Sequence, residues 1–144
     1  MSNANKILLL VFLLVAVIAL IGIVMWNKPH KNVNDIDTVK VAADDLYDAF
    51  LKDSAAAKKL YINKAVEVTG EVAQVSANKQ YQTVIQLKTT IEGAYINCTL
   101  EQKEAVANVG TRIVIKGFCN GYNSGDEDMG IPGDVILVSC YVAK

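Results

Sequence analysis

Histidine is almost missing from this chain. One occurs among 144 residues, His30, and none comes after it. That removes the usual general base, and the commonest nitrogen ligand for a metal, from everything after residue 30. Cysteine is sparse as well. Cys98, Cys119 and Cys140 stand at intervals of 21 residues, with no C-x-x-C pair and no fourth ligand, which is not how a zinc site is built. A nucleophilic cysteine would need a carboxylate or lysine in place of the missing imidazole, and nothing in the sequence sets one beside it. Cys98, between Ile96 and Leu100, reads as a small apolar core residue. Phosphate-cradling glycine motifs, serine triads and paired catalytic acids are absent, as are internal repeats and low-complexity stretches. The expectation is a protein that is not an enzyme and needs no metal or cofactor.

Positive charge is also short. The 11 Lys and Arg after residue 31 face all 15 Asp and Glu, so the chain beyond that point is near −4. A tight, sequence-independent grip on duplex DNA depends on a basic surface and is not expected.

What the chain does have is a long apolar run. "ILLLVFLLVAVIALIGIVMW", residues 7–26, contains no charged residue in twenty. At about 1.5 Å per residue it is roughly 30 Å long, the thickness of a hydrocarbon core. A cleaved leader usually has an apolar core of about 7–15 residues and a small-x-small cleavage site. Met25, Trp26 and Asn27 do not form one, and Trp26 suits the headgroup level. The reading is an N-terminal tail over residues 1–6, a single-pass membrane anchor over 7–26, a polar linker over 27–40 and a folded domain over 41–144. Lys28 and Lys31 against Lys6 lean towards a cytoplasmic domain. A short tail followed by one apolar segment favours export.

Within the domain the hydrophobic period changes once. Thr38 is positioned to cap a helix carrying Val41, Ala42, Leu46, Ala49 and Phe50 on one face, and Asp53 or Ser54 a second helix through "AAAKKLY". From Ala65 the pattern alternates. "AVEVTGEVAQV" sends Val66, Val68, Gly70 and Val72 one way and Glu67, Thr69 and Glu71 the other. Gly70 marks a bend or a close backbone approach, and Gly117 a bend in a later strand. "YQTVIQLKT", "AYINCTL", "TRIVIKGFC" and "DVILVSCYV" supply four more strands. A helix near Gln102 to Ala107, closed by Gly110, is expected between the third and fourth. Five strands with that insertion have the order of the OB-fold, a small Greek-key β-barrel.

"LYINKAVEVTGEV", "INCTL", "VGTRIVIKGFCNG" and "VILVSC" resemble the bacterial tRNA-anticodon-binding-like OB-fold proteins, many of them membrane-anchored or lipoproteins of the cell envelope. The resemblance runs from Val41 to Tyr141, and its markers are Tyr61, Val68 to Gly70, Cys98, "KGFCNG" and Cys140. It implies the barrel but no particular substrate. The chain departs from lipoprotein members in lacking a lipidation cysteine, for which the apolar helix would substitute.

OB barrels bind across their second and third strands, flanked by the loops between strands one and two and between strands four and five. Those positions offer Lys79, Tyr81, Thr83, Tyr95, Asn97, Tyr122 and Asn123. Tyrosines stack on bases or sugar rings, although each of these residues also suits ordinary sheet surface or core. Asp126, Glu127 and Asp128 lack the spacing of an EF-hand loop and read as a solvated acidic tip. Glu67 with Glu71, and Arg112 with Lys116, are placed for cross-strand ion pairs. Cys119 and Cys140 flank a long loop and are expected to be joined in a disulfide, with two buried thiols as the alternative. The bridge would close about 22 residues, stabilise by roughly 3 kcal/mol and place the domain outside the cytoplasm. The function expected is a membrane-anchored, noncatalytic envelope module for single-stranded nucleic acid, glycan or peptide. The alternative is a structural partner of another envelope protein.

Overall fold

The computed structural model describes residues 3–26, 36–102, 107–126 and 128–143. The chain divides into two units, Met1–Lys31 and Asn32–Lys144.

The first unit is one helix, α1 (Asn3–Trp26), of 24 residues. The side chains described in it are those of residues 5–6 and 10–23, and they are exposed. Among the described residues no helix is long and apolar enough to cross a membrane. The continuous stretch of described side chains, residues 10–23, spans about 21 Å.

The second unit opens with a short strand, β1 (Val39–Ala42), followed by α2 (Ala43–Lys52), α3 (Ser54–Tyr61) and β2 (Ala65–Ala77). Then come β3 (Thr83–Lys88), β4 (Tyr95–Leu100), β5 (Arg112–Asn123) and β6 (Asp134–Val142). The neighbours run β1-β2-β3-β4-β6-β5, and β2 pairs again with β5. Strands β2 to β6 therefore close into a five-stranded barrel. All its pairs are antiparallel except β4 with β6, so the sheet is mixed.

The long strand β2 makes closure possible. Its first half, Ala65 to Glu71, pairs with β5, and its second half, Val72 to Ala77, with β3. A register shift between Val72 and Gln74 bends it from one neighbour to the other. Gly70 answers a close approach: a Cβ there would lie 2.9 Å from the Cβ of Ala43 and 3.2 Å from that of Leu87. The barrel interior is the alternating set Val66, Val68, Val72, Ile85, Leu87, Ile96, Leu100, Ile115 and Leu137, each 1% exposed or less.

The start of the domain differs from the sequence expectation. Val41 and Ala42 lie in β1, which runs parallel to β2 from Val39↔Val66 to Ala42↔Thr69. Thr38 caps nothing; its hydroxyl donates to Glu67 (3.4 Å). The β-branched "VKV" pairs with a distant strand, and that outweighs its fit to the helical period of the adjoining α2. The helix proper starts at Ala43 and buries Ala43, Leu46, Tyr47 and Phe50, the stripe that 3.6 residues per turn demands. Asp53 caps α3, accepting from the backbone N–H of Ala56 at 2.9 Å. The helix expected near Gln102 to Ala107 falls on residues 103–106, outside the described residues. Gly110 has the left-handed backbone expected of it (φ 85°) and donates to the carbonyl of Val72.

The Cys119–Cys140 bridge is corrected by the register. Cys119 stands opposite Leu137, three positions before Cys140. At about 3.3 Å per residue the offset is roughly 7–10 Å along the strands, even with a bulge between. Bridged Cα atoms lie about 4.4–6.8 Å apart. All three cysteines are free and buried. Cys140 turns inward because Ser139 takes a left-handed conformation (φ 51°) and adds a residue to the strand. Regular alternation from Val135 and Leu137 would have turned Ser139 inward instead. The sulfur then occupies the space left by Gly117, where a Cβ would lie 2.5 Å from Cys140 Sγ.

Candidate nucleic-acid interface

On the outer face of β3 and β4 the side chains of Val84, Gln86 and Lys88 lie opposite Thr99, Asn97 and Tyr95. At the centre, Gln86 Nε2 donates to Asn97 Oδ1 at 2.8 Å. Tyr95 opens β4; its backbone N–H donates to Asp134 Oδ1 (2.8 Å), which ties the start of β4 to the start of β6. Lys88, opposite Tyr95, is ion-paired with Glu71. A cavity of about 260 Å³ lies beside Lys88, Glu92 and Tyr95.

The other end of the face is formed by the turn between β2 and β3. Asn78 organises it. Its Oδ1 accepts from the backbone N–H groups of Gln80 (2.9 Å) and Gln82 (3.0 Å), and its amide nitrogen donates to Gln82 Oε1 (3.0 Å). Its backbone N–H donates to the Gln82 carbonyl, and its carbonyl accepts from the Tyr81 N–H, both at 3.0 Å. Tyr81 is held at φ 59°, a region that bulky residues rarely adopt. Its side chain is 94% exposed. A cavity of about 480 Å³ is lined by Gln80, Tyr81, Gln82, Thr83, Leu100, Glu101 and Gln102. That volume is within the range of ligand pockets.

Five of the seven expected residues thus belong to this face and its ends: Lys79, exposed in the turn, then Tyr81, Thr83, Tyr95 and Asn97. Tyr122 does not join them. Its ring stacks on Phe50 (centroids 5.2 Å, interplanar angle 17°) and meets Tyr47 edge-on at 6.1 Å, so α2 draws it into the core packing. Asn123 is exposed at the end of β5, where its Oδ1 accepts from the Gly125 N–H (3.2 Å) and shapes the adjoining loop. Gln86, Gln82 and Gln102 were not among the expected residues. Gln86 was within reach, because it sits between inward Ile85 and Leu87 and so must face out. Gln102 reaches the face only through tertiary packing.

The face has little to offer catalysis. The Cys98 thiol donates to the Ile96 carbonyl (3.7 Å), and the neighbouring Cys140 thiol, with burial, pushes it well above its ordinary value. Burial pushes Cys119 up to about 11, partly opposed by the Gly121 N–H. Both stay protonated at neutral pH, the opposite of an activated nucleophile. Among the described residues no cluster of His, Cys, Asp or Glu is placed to hold a metal ion. The ion pairs are structural. Glu67 meets Lys116 across the β2–β5 ladder at 3.5 Å and Lys40 at 3.8 Å, whereas Glu71 turns to Lys88 and not to Arg112, its register partner.

Among solved structures the chain is similar to a lipoprotein of Klebsiella pneumoniae subsp. pneumoniae that has been given a proposed nucleic acid-binding role. The match has a TM-score of 0.50 at 19% sequence identity and covers 81% of this chain and 100% of that one. At that identity the likeness concerns the fold. No curated protein matches the sequence. The tRNA_anti-like family matches residues 1–129, nearly the whole length, and the chain belongs to that family.

Proposed function

We propose that this protein is a membrane-anchored, noncatalytic OB-fold module that binds single-stranded nucleic acid across β3 and β4. The observation that carries the reading is the composition of that face. Tyr81 and Tyr95 stand at its two ends and the Gln86–Asn97 amide pair lies between them. Aromatic rings stack on unpaired bases, and amides read base edges. The nucleic-acid role proposed for the structurally similar lipoprotein supports the same ligand.

Residues 7–26 serve as the anchor in this reading. They lie within the 24-residue helix α1, and the uncharged run covers roughly 30 Å. The domain is placed outside the cytoplasm. With the three thiols free, that placement rests on the apolar segment and on the lipoprotein nature of the structural relative.

The negative balance of the domain makes binding weak and stacking-driven, with a shallow salt dependence. The full chain in detergent, titrated into fluorescently labelled single-stranded and duplex oligonucleotides, tests this. The expected result is micromolar or weaker binding to single strands, at least tenfold weaker to duplex, and a loss of about tenfold in Tyr95→Ala. Binding of glycans or peptides in place of oligonucleotides would overturn the ligand, as would tight duplex binding unaffected by loss of both tyrosines.

A further inference from the structure

We infer that the outer side of α3, with the end of α2 and the turn into β2, docks on the anionic phospholipid headgroups of the bilayer that holds the chain. The inference rests on the membrane-anchored half of the reading above and not on its nucleic-acid half. Charge is unevenly spread in the domain. Residues 51–64 hold four lysines, Lys52, Lys58, Lys59 and Lys64, and one acid, Asp53. The rest of the chain beyond residue 31 has seven Lys and Arg against 14 Asp and Glu. A domain that is acidic overall therefore carries one segment that an anionic surface attracts.

All four lysines are exposed, and among the described residues none of them is in an ion pair. Asp53 is occupied as the cap of α3, accepting from the Ala56 N–H. Helix α3 buries Ala57 and Tyr61, which leaves Lys58, Lys59 and Leu60 on its outer side. Leu51 and Leu60 are each 50% exposed. Lysines with exposed leucines among them suit a bilayer boundary, where headgroups meet the charges and the acyl region takes the apolar side chains. A sugar-phosphate backbone would satisfy the lysines and leave the leucines in water.

The chain enters the domain at the same place. Strand β1 runs parallel to β2, so the two begin at one end, with Val39 beside Val66, two residues on from Lys64. The backbone of Lys64 is held on both sides: its N–H donates to the Tyr61 carbonyl (3.0 Å), and its carbonyl accepts from the Cys119 N–H (3.1 Å). Residues 27–38, between the apolar run and β1, reach at most roughly 40 Å. The basic segment thus lies next to the point where a tether from the bilayer arrives. Asp37, exposed at the end of that tether, sets one negative charge against the four positive ones. The segment is also on the wrong side for the nucleic-acid face. The Asn63 N–H donates to the Cys119 carbonyl (2.8 Å), which seats it on β5, a strand adjacent to neither β3 nor β4.

The test is lysine acetylation, followed by mass spectrometry, of the full chain in nanodiscs of phosphatidylcholine alone or with about one-third phosphatidylglycerol. In the anionic discs Lys58, Lys59 and Lys64 should react at least about threefold more slowly than in neutral discs. Lys79, exposed at the far end of β2, should react equally in both. Salt at about 0.5 M should remove the difference, because it shortens the screening length to a few ångströms. Lys59→Glu combined with Lys64→Glu should remove the protection of Lys58 with an unchanged circular dichroism spectrum, since both side chains are exposed. Equal rates in the two kinds of disc would overturn the inference, and so would protection that extends to Lys79 or survives the double substitution. Protection of the three lysines by a single-stranded oligonucleotide in neutral discs would overturn it too, and assign them to nucleic acid. If the lipid effect is absent while Tyr95→Ala still weakens oligonucleotide binding, the docking surface falls and the nucleic-acid reading stands. If the chain stays in neither disc, the anchor falls and the surface with it.

Discussion

Tyr47 shows what burial does to a single titratable group here. Its ring is 1% exposed beneath Tyr122. Burial first, then the charge and hydroxyl of Tyr122 and the charge of Asp134, push its phenol from the usual 10 to about 12, against a smaller opposing bond from the Gly133 backbone. Cys119 is raised to about 11 by burial. A group whose folded value is raised keeps a proton that the unfolded chain releases. Its contribution is complete below the unfolded value and disappears as pH climbs through the folded one. Stability should therefore be flat from about pH 6 to 8 and fall between about pH 9 and 12. Urea midpoints, monitored by near-ultraviolet circular dichroism of the tyrosines, measure this. Tyr47→Phe should lessen the fall above about pH 10. A decline as steep as in the wild type would show that Tyr47 is not the group responsible. The burial of Tyr47 could not be read from its neighbours in "DDLYDAF", because Tyr122 and Asp134 come from strands more than 70 residues away.

At the scale of elements, β5 and β6 form one device. The extra residue at Ser139 turns Cys140 inward, and Gly117 leaves room for its sulfur. Gly117→Ala should cost about 1–3 kcal/mol, as overpacking of a dense core does. Removing the sulfur with Cys140→Ala should make that cost smaller, so the two substitutions are non-additive by at least about 0.5 kcal/mol in a double-mutant cycle of urea midpoints. Strict additivity would mean that the Cβ clashes with the backbone and not with the sulfur. The alternating strands and the second helix cap were legible, since each depends on a few adjacent residues. The strand β1 was not. "VKVA" fits the periodicity of α2 equally well, and only a partner strand decides between them.

For the whole molecule, the arrangement of thiols and the location of the domain separate. Barrel register keeps Cys119 and Cys140 apart, so location cannot be inferred from a staple. Thiol labelling of unfolded, unreduced protein from its native membrane should find three reactive cysteines. One reactive cysteine would restore the bridge and show that the register of β5 on β6 differs.

From the sequence alone came the second half of α2, α3, the order of β2 to β6, the inward face of β2, the apolar N-terminal run, and five of the residues that lie on the β3–β4 face and at its ends. Each arises from local chemistry: a side-chain period of two or 3.6, a capping oxygen, or a run of residues without charge. Tertiary structure alone decided that Tyr122 belongs to the core, that Asn97 bonds Gln86, and that Glu101 and Gln102 share a cavity with Tyr81. Periodicity tells which of two faces a residue occupies. It does not tell which distant residue stands opposite, because register is set by contacts between strands, and one inserted residue such as Ser139 exchanges the faces of everything after it.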